Sequence, residues 1–122
     1  MQIDLWTYEI ILPEMADLNG FDVEATDGSI GHVKEARYDV GSSYLVVDTG
    51  PWIFGHKVML PAGVVRGIDE TAEMVFVNRT KDQIKSAPEY DESFALEDTY
   101  RSDLETYYGP GGAGYRDWDD TF

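Results

Sequence analysis

The chain has 122 residues, enough for one domain and some additional chain, and a 43% hydrophobic content that supplies one modest core. Twenty-four acids against nine Lys and Arg give a formal net charge of −15. The basic residues are scattered through the sequence, so direct nucleic-acid binding, which needs clustered cations to displace counterions, is not expected.

There are no cysteines, which excludes disulfides and thiolate chemistry and fits a reducing compartment. No apolar run approaches the roughly 20 residues of a bilayer span, and no basic-then-apolar leader opens the chain. A cytoplasmic protein without membrane insertion is therefore expected. The acid excess is uneven: from Pro88 onward there are ten acids and two basic residues, in 35 positions. Such a field suits solubility, and it would also steer a basic protein partner.

Residues 1–16 contain Ile3, Leu5, Trp6, Ile10, Ile11 and Leu12 at a spacing that fits neither helix nor strand. They read as an arm whose apolar side chains cover the domain that follows or a partner subunit, covering within the chain being preferred. From Gly20 the pattern is β. Phe21, Val23 and Ala25 alternate with Asp22 and Glu24, the period of a half-buried strand. Asp27-Gly28 predicts a tight hairpin through its tolerance of positive φ. In the following segment, Ile30 to Val40, Ile30 and Val33 fall on opposite parity, so Gly31 is expected at a bulge that resets the register.

Tyr44 to Asp48 reads as a strand covered on both faces, and Lys57 to Pro61 as a strand ended by its proline. Between them, Gly50 to Gly55 carries Trp52, Ile53 and Phe54, either tucked into a barrel mouth or offered to a partner. Val64 to Ile68 and Met74 to Val77 form a further hairpin. Six short strands at this spacing predict a barrel or sandwich rather than βαβ units.

Thr80 with Gln83 three residues on is a capping box that starts a short helix, stopped at Ala87-Pro88. A second helix is predicted over Ser93 to Tyr108, with Leu96, Tyr100, Leu104 and Tyr107 or Tyr108 on one face. That stripe either packs back on the barrel or binds across a dimer. Gly109-Pro110 closes the helix, a glycine-rich tether follows, and residues 115–122 form an acidic tip that includes Trp118.

Two segments, Asp17-Leu18-Asn19-Gly20-Phe21-Asp22-Val23 and Asp27-Gly28-Ser29-Ile30-Gly31-His32-Val33, resemble the opening hairpin of PRC-barrel domains. Tyr44-Leu45-Val46-Val47-Asp48 and Val58-Met59-Leu60-Pro61-Ala62 resemble the third strand and the Val-Pro-Ala-like segment of that family. Thr80 to Tyr90 is similar to the ending of many stand-alone members. The resemblance covers residues 17–91, leaving a helix at 92–109 and a tether and acidic tail at 110–122 outside it. It implies a mainly β fold: a small, partly open antiparallel barrel with short C-terminal helices. It also implies binding of other proteins with no shared catalytic residues. The membrane helix of the reaction-centre H subunit and the separate N-terminal barrel of the ribosomal maturation factor have no counterpart here.

The remaining chemistry is sparse. His32 and His56 show no HxH or HxxxH spacing and read as structural or exposed rather than metal-binding. Asp39 and Asp48 read as solvent-exposed turn residues rather than an acid–base pair. Asp117, Asp119 and Asp120 lack the spacing of a calcium loop and its closing Glu. No phosphate loop, nucleophile elbow or dinucleotide fingerprint occurs.

The expectation is a non-catalytic, self-associating (dimeric) protein-binding module without cofactor or metal. Its candidate contact residues are Trp52, Ile53, Phe54, Leu96, Tyr100, Leu104, Tyr107 and Trp118, and its structural positions Gly20, Gly28, Gly31 and Pro61. Two alternatives stand beside it: a ribosome or RNA-processing assembly factor acting through a basic protein, and a ligand-binding or enzymatic barrel using His32 and His56.

Overall fold

The computed structural model describes residues 5–6, 17–38, 43–50, 57–88, 98–109, 112 and 114, without the side chain of Asp98. Among these residues six strands form one sheet: β1 (Asp22–Ala25), β2 (Gly28–Arg37), β3 (Tyr44–Asp48), β4 (Lys57–Pro61), β5 (Val65–Asp69) and β6 (Met74–Val77). A 3-10 turn over Ala62–Val64 joins β4 to β5. Two helices follow, α1 (Lys81–Lys85) and α2 (Asp98–Tyr108). The order across the sheet is β4-β3-β2-β1-β6-β5. β4 and β5 are its two ends and do not pair with each other, so the fold is a partly open barrel-like sheet.

The expected architecture holds with one correction. Four of the five strand pairs are antiparallel, but β1 and β6 run parallel, Asp22 beside Met74 and Glu24 beside Phe76. A parallel pair needs a long connection, and here β2 through β5 provide it. The pair is tied at both ends by backbone bonds, from the N–H of Asp22 to the carbonyl of Glu73 (2.9 Å) and from that of Thr26 to the carbonyl of Arg79 (3.0 Å).

Parity sets the core. Val33, Val47 and Val58 lie in one row across β2, β3 and β4, and all three are buried. Ile30 and Val33 both reach the interior because the β1–β2 register shifts between Val23 and Glu24, leaving Ile30 as the extra residue next to Gly31. Gly31 has φ +149, and a Cβ built there would sit 2.0 Å from the Asp48 carbonyl oxygen. Only glycine lets the two strands approach this closely.

At the hairpin, the positive φ falls on Gly28 (+142) rather than on Asp27. Asp27 uses its carboxylate instead to accept the backbone N–H of Lys81 (2.8 Å), fixing the hairpin to the start of α1. Gly20 (φ +86) closes the turn before β1 and donates to the carbonyl of Val33 (2.7 Å). Pro61 ends β4 opposite Tyr44, at an edge where its missing N–H breaks no ladder. The capping box at Thr80 is formed in both directions.

Candidate interaction surfaces

Two regions bring polar chemistry together. The first is the outer face of the sheet. Strand register aligns Lys57, Asp48, His32 and Asp22 across β4, β3, β2 and β1, continuing to Met74 and Asp69 on β6 and β5. Directly opposed residues share a face, so this row sets Lys57 beside Asp48, and His32 between the carboxylates of Asp48 and Asp22. His32 and Asp22 are exposed, Asp48 and Lys57 partly so.

The Asp48 carboxylate accepts the N–H of Gly50 at 3.0 Å. That bond, opposed by desolvation and helped by His32, Lys34 and Lys57, holds it below the ordinary carboxylate range. At the other end of β2, Arg37 and Glu35 pair at 3.0 Å with both side chains about half exposed, where solvent screens the contact. Among the described residues, no three His, Asp or Glu side chains are placed to share a metal ion.

The second region is the seat of α2. Tyr100, Leu104 and Tyr108, at i, i+4 and i+8, are buried in the main core, and Tyr107 is partly buried against it. The described members of the stripe that the sequence offered to a barrel or a partner are thus covered within the chain. Each fully buried side chain of this kind contributes about 1.5–3 kcal/mol, which an 11-residue helix needs because so short a helix is marginal alone.

The arm joins in. Trp6 is buried, its indole N–H donates to Glu105 Oε1 at 2.7 Å, and the Arg101 guanidinium stacks over its ring at 4.4 Å. The carbonyls of Leu5 and Trp6 accept from Gly63 N (2.7 Å) and Ser43 N (2.9 Å), anchoring the same two residues to the barrel. Trp6 therefore touches α2 with its side chain and the barrel with its backbone.

The far end of α2 is held by Arg79, which is 3% exposed. Its guanidinium donates to the carbonyls of Asn78 (2.7 Å), Gly114 (2.6 Å) and Tyr108 (3.3 Å), and it lies 5.6 Å from the centre of the Tyr108 ring. A cation at the helix C-terminus meets the negative end of the helix dipole there. The hydroxyl of Tyr107 donates to the carbonyl of Gln83, tying α2 to α1.

The glycine-rich stretch after α2 differs from the expected free tether at its two described positions. Gly114 is buried and donates to the carbonyl of Tyr107 (3.0 Å), and Gly112 donates to that of Gly109 (3.0 Å). A Cβ at Gly114 would sit 2.2 Å from the Tyr107 ring, so these glycines allow the chain to fold back over the last turn and cap it.

This seat also contains uncompensated polar groups. The Tyr108 hydroxyl is buried with no hydrogen-bond partner among the described residues, as are both side-chain amide atoms of Asn78, next to Arg79 in the chain. Each such group costs about 1–3 kcal/mol. Burial accordingly pushes the Tyr108 hydroxyl far above the ordinary tyrosine range.

Among the candidate contact residues, Tyr100, Leu104 and Tyr107 are thus placed in the α2 seat, while Trp52, Ile53, Phe54, Leu96 and Trp118 lie outside the described residues, as do His56, Asp39, Asp117, Asp119 and Asp120. Sequence reasoning missed Arg79 altogether; an Asn-Arg pair between a strand and a capping box carries no periodic signal. No protein-family model and no curated protein matches the chain.

Proposed function

We propose that the chain is a non-catalytic protein-interaction module of the PRC-barrel kind that self-associates in the cytoplasm. The observation that carries this reading is the filled interior. Val23, Val33, Val47, Leu60, Val64 and Val77 are buried against one another inside the sheet, so recognition falls to outer surfaces and edges. His32, the described member of the histidine pair that a ligand-binding barrel would use, stands on the outer face between Asp22 and Asp48.

The acid excess supports a second reading, an assembly factor that engages a basic protein of a ribonucleoprotein particle. The formal charge of −15 favours such a partner through long-range steering, which salt screens.

Light scattering coupled to size exclusion, together with affinity capture from the native lysate, tests the first reading. It predicts a concentration-dependent dimer and recovery of a defined protein partner. A strict monomer that recovers nothing contradicts it. The second reading predicts co-sedimentation with small-subunit precursors that fades as salt is raised, and absence from those fractions removes it.

A further inference from the structure

We propose that α2 is a releasable strap: it opens from the barrel as a unit, with Trp6 as the clasp, while the sheet stays folded. The use of such a strap rests on the interaction-module reading above, because closure withholds Tyr100, Leu104 and Tyr108 from any partner. The opening itself does not rest on that reading.

Three observations converge on it. First, the sheet is continuous through paired strands, whereas α2, besides burying Tyr100, Leu104 and Tyr108, is tied down by side-chain pins from distant segments. Among them are the indole–Glu105 bond, the Arg101 stack, the Tyr107 hydroxyl on the Gln83 carbonyl and the Arg79 guanidinium on the last carbonyls. Pins of this sort leave or stay together, since each depends on the helix being whole. Second, the seat buries the Tyr108 hydroxyl without a hydrogen-bond partner among the described residues, and that hydroxyl regains water when α2 leaves. Closure thus carries a penalty that the valine-lined sheet interior does not.

Third, Trp6 occupies a joint between three elements. Its backbone and that of Leu5 are bonded to residues beside β3 and in the β4–β5 turn, while its ring fills the α2 side. The residues facing α2 from the arm and those facing it from the barrel are therefore coupled through one side chain. Removing the ring loosens α2 and leaves the strand ladders untouched.

The test is hydrogen exchange read by mass spectrometry on the full-length protein, comparing wild type with Trp6→Ala. The proposal predicts at least tenfold faster exchange in peptides covering 98–109, with exchange in β2, β3 and β6 unchanged. Equal acceleration in α2 and the sheet would mean that Trp6 is an ordinary core residue and would overturn the proposal, as would unchanged exchange in α2. Should Trp6→Ala fail to fold, Arg101→Ala with Glu105→Ala removes the two side-chain contacts and keeps the ring. It predicts the same selective acceleration, and its absence counts against the clasp. Failure to find a partner in lysate bears on the interaction reading and leaves this result unaffected.

Discussion

The sheet and the α2 seat bury similar kinds of side chain but are held by different forces. Inside the sheet, register does the work: Val33, Val47 and Val58 stand opposite one another, and bulges beside Gly31 and at Lys34 keep the inward residues in line. The α2 seat is assembled from parts far apart in the chain, with Trp6 meeting Glu105 across 99 positions and Arg79 meeting Gly114 across 35. It adds charge-assisted bonds to its buried apolar contacts, and it carries the unpaired Tyr108 hydroxyl. Apolar packing with satisfied backbone ladders tolerates little rearrangement, whereas a seat of pins and orphans has a lower cost of opening.

Substitutions can break that contrast or sharpen it. The largest effect is expected at Gly31. Gly31→Ala places a methyl on the Asp48 carbonyl and an L residue at φ +149, costing about 3 kcal/mol or more from strain and overpacking together. Chemical denaturation should show the loss in the global transition, and a change below 1 kcal/mol would contradict the close approach of β2 and β3.

Next comes Arg79→Met, which keeps the length of the buried side chain but removes its bonds to the Asn78, Gly114 and Tyr108 carbonyls. A loss of about 2–4 kcal/mol is expected, typical of lost hydrogen bonds from a buried charged group. If the two regions differ as argued, this loss appears in the exchange of α2 before it appears in the sheet.

Tyr108→Phe has the opposite sign. The hydroxyl it removes is buried and has no partner among the described residues, so α2 should gain up to about 1 kcal/mol of protection, as expected when a desolvated group is removed. Destabilisation measured by thermal unfolding would show that the hydroxyl is engaged after all.

The smallest effect is electrostatic. Asp48 is held below its ordinary value of 3.8, first by the Gly50 N–H. Between its folded value and 3.8 the unfolded chain binds more protons, so stability rises with pH through that window. The contribution is complete above 3.8 and is lost as pH falls through the folded value. Asp48→Asn should therefore flatten the acid limb of the stability curve below pH 3.8 and leave its shape at neutral pH unchanged.

Legibility in the sequence follows the same division. The strands were readable because alternation is local: Phe21, Val23 and Ala25 announce β1, and the parity break between Ile30 and Val33 announces the bulge at Gly31. The capping box at Thr80 and the Tyr100–Leu104–Tyr108 stripe were readable for the same reason. The parallel β1–β6 pair was not, because nothing within either strand records the direction of a neighbour some 50 positions away. Nor was the α2 seat. The stripe declares that it will be covered, but the covering ring of Trp6 and the capping guanidinium of Arg79 belong to segments whose own patterns are silent about α2. The glycines at 112 and 114 misled because composition marks a tether, while their close packing on Tyr107 needs tertiary structure to be seen.

The contrast between the two regions is tested most directly by native-state hydrogen exchange of the wild-type protein at increasing denaturant, followed residue by residue. The Leu104 amide should open with a lower free energy and a weaker denaturant dependence than the Val47 amide, reporting release of α2 from an intact sheet. Coincidence of the two, with the same free energy and the same slope from the lowest denaturant onward, would show that α2 and the sheet open only together.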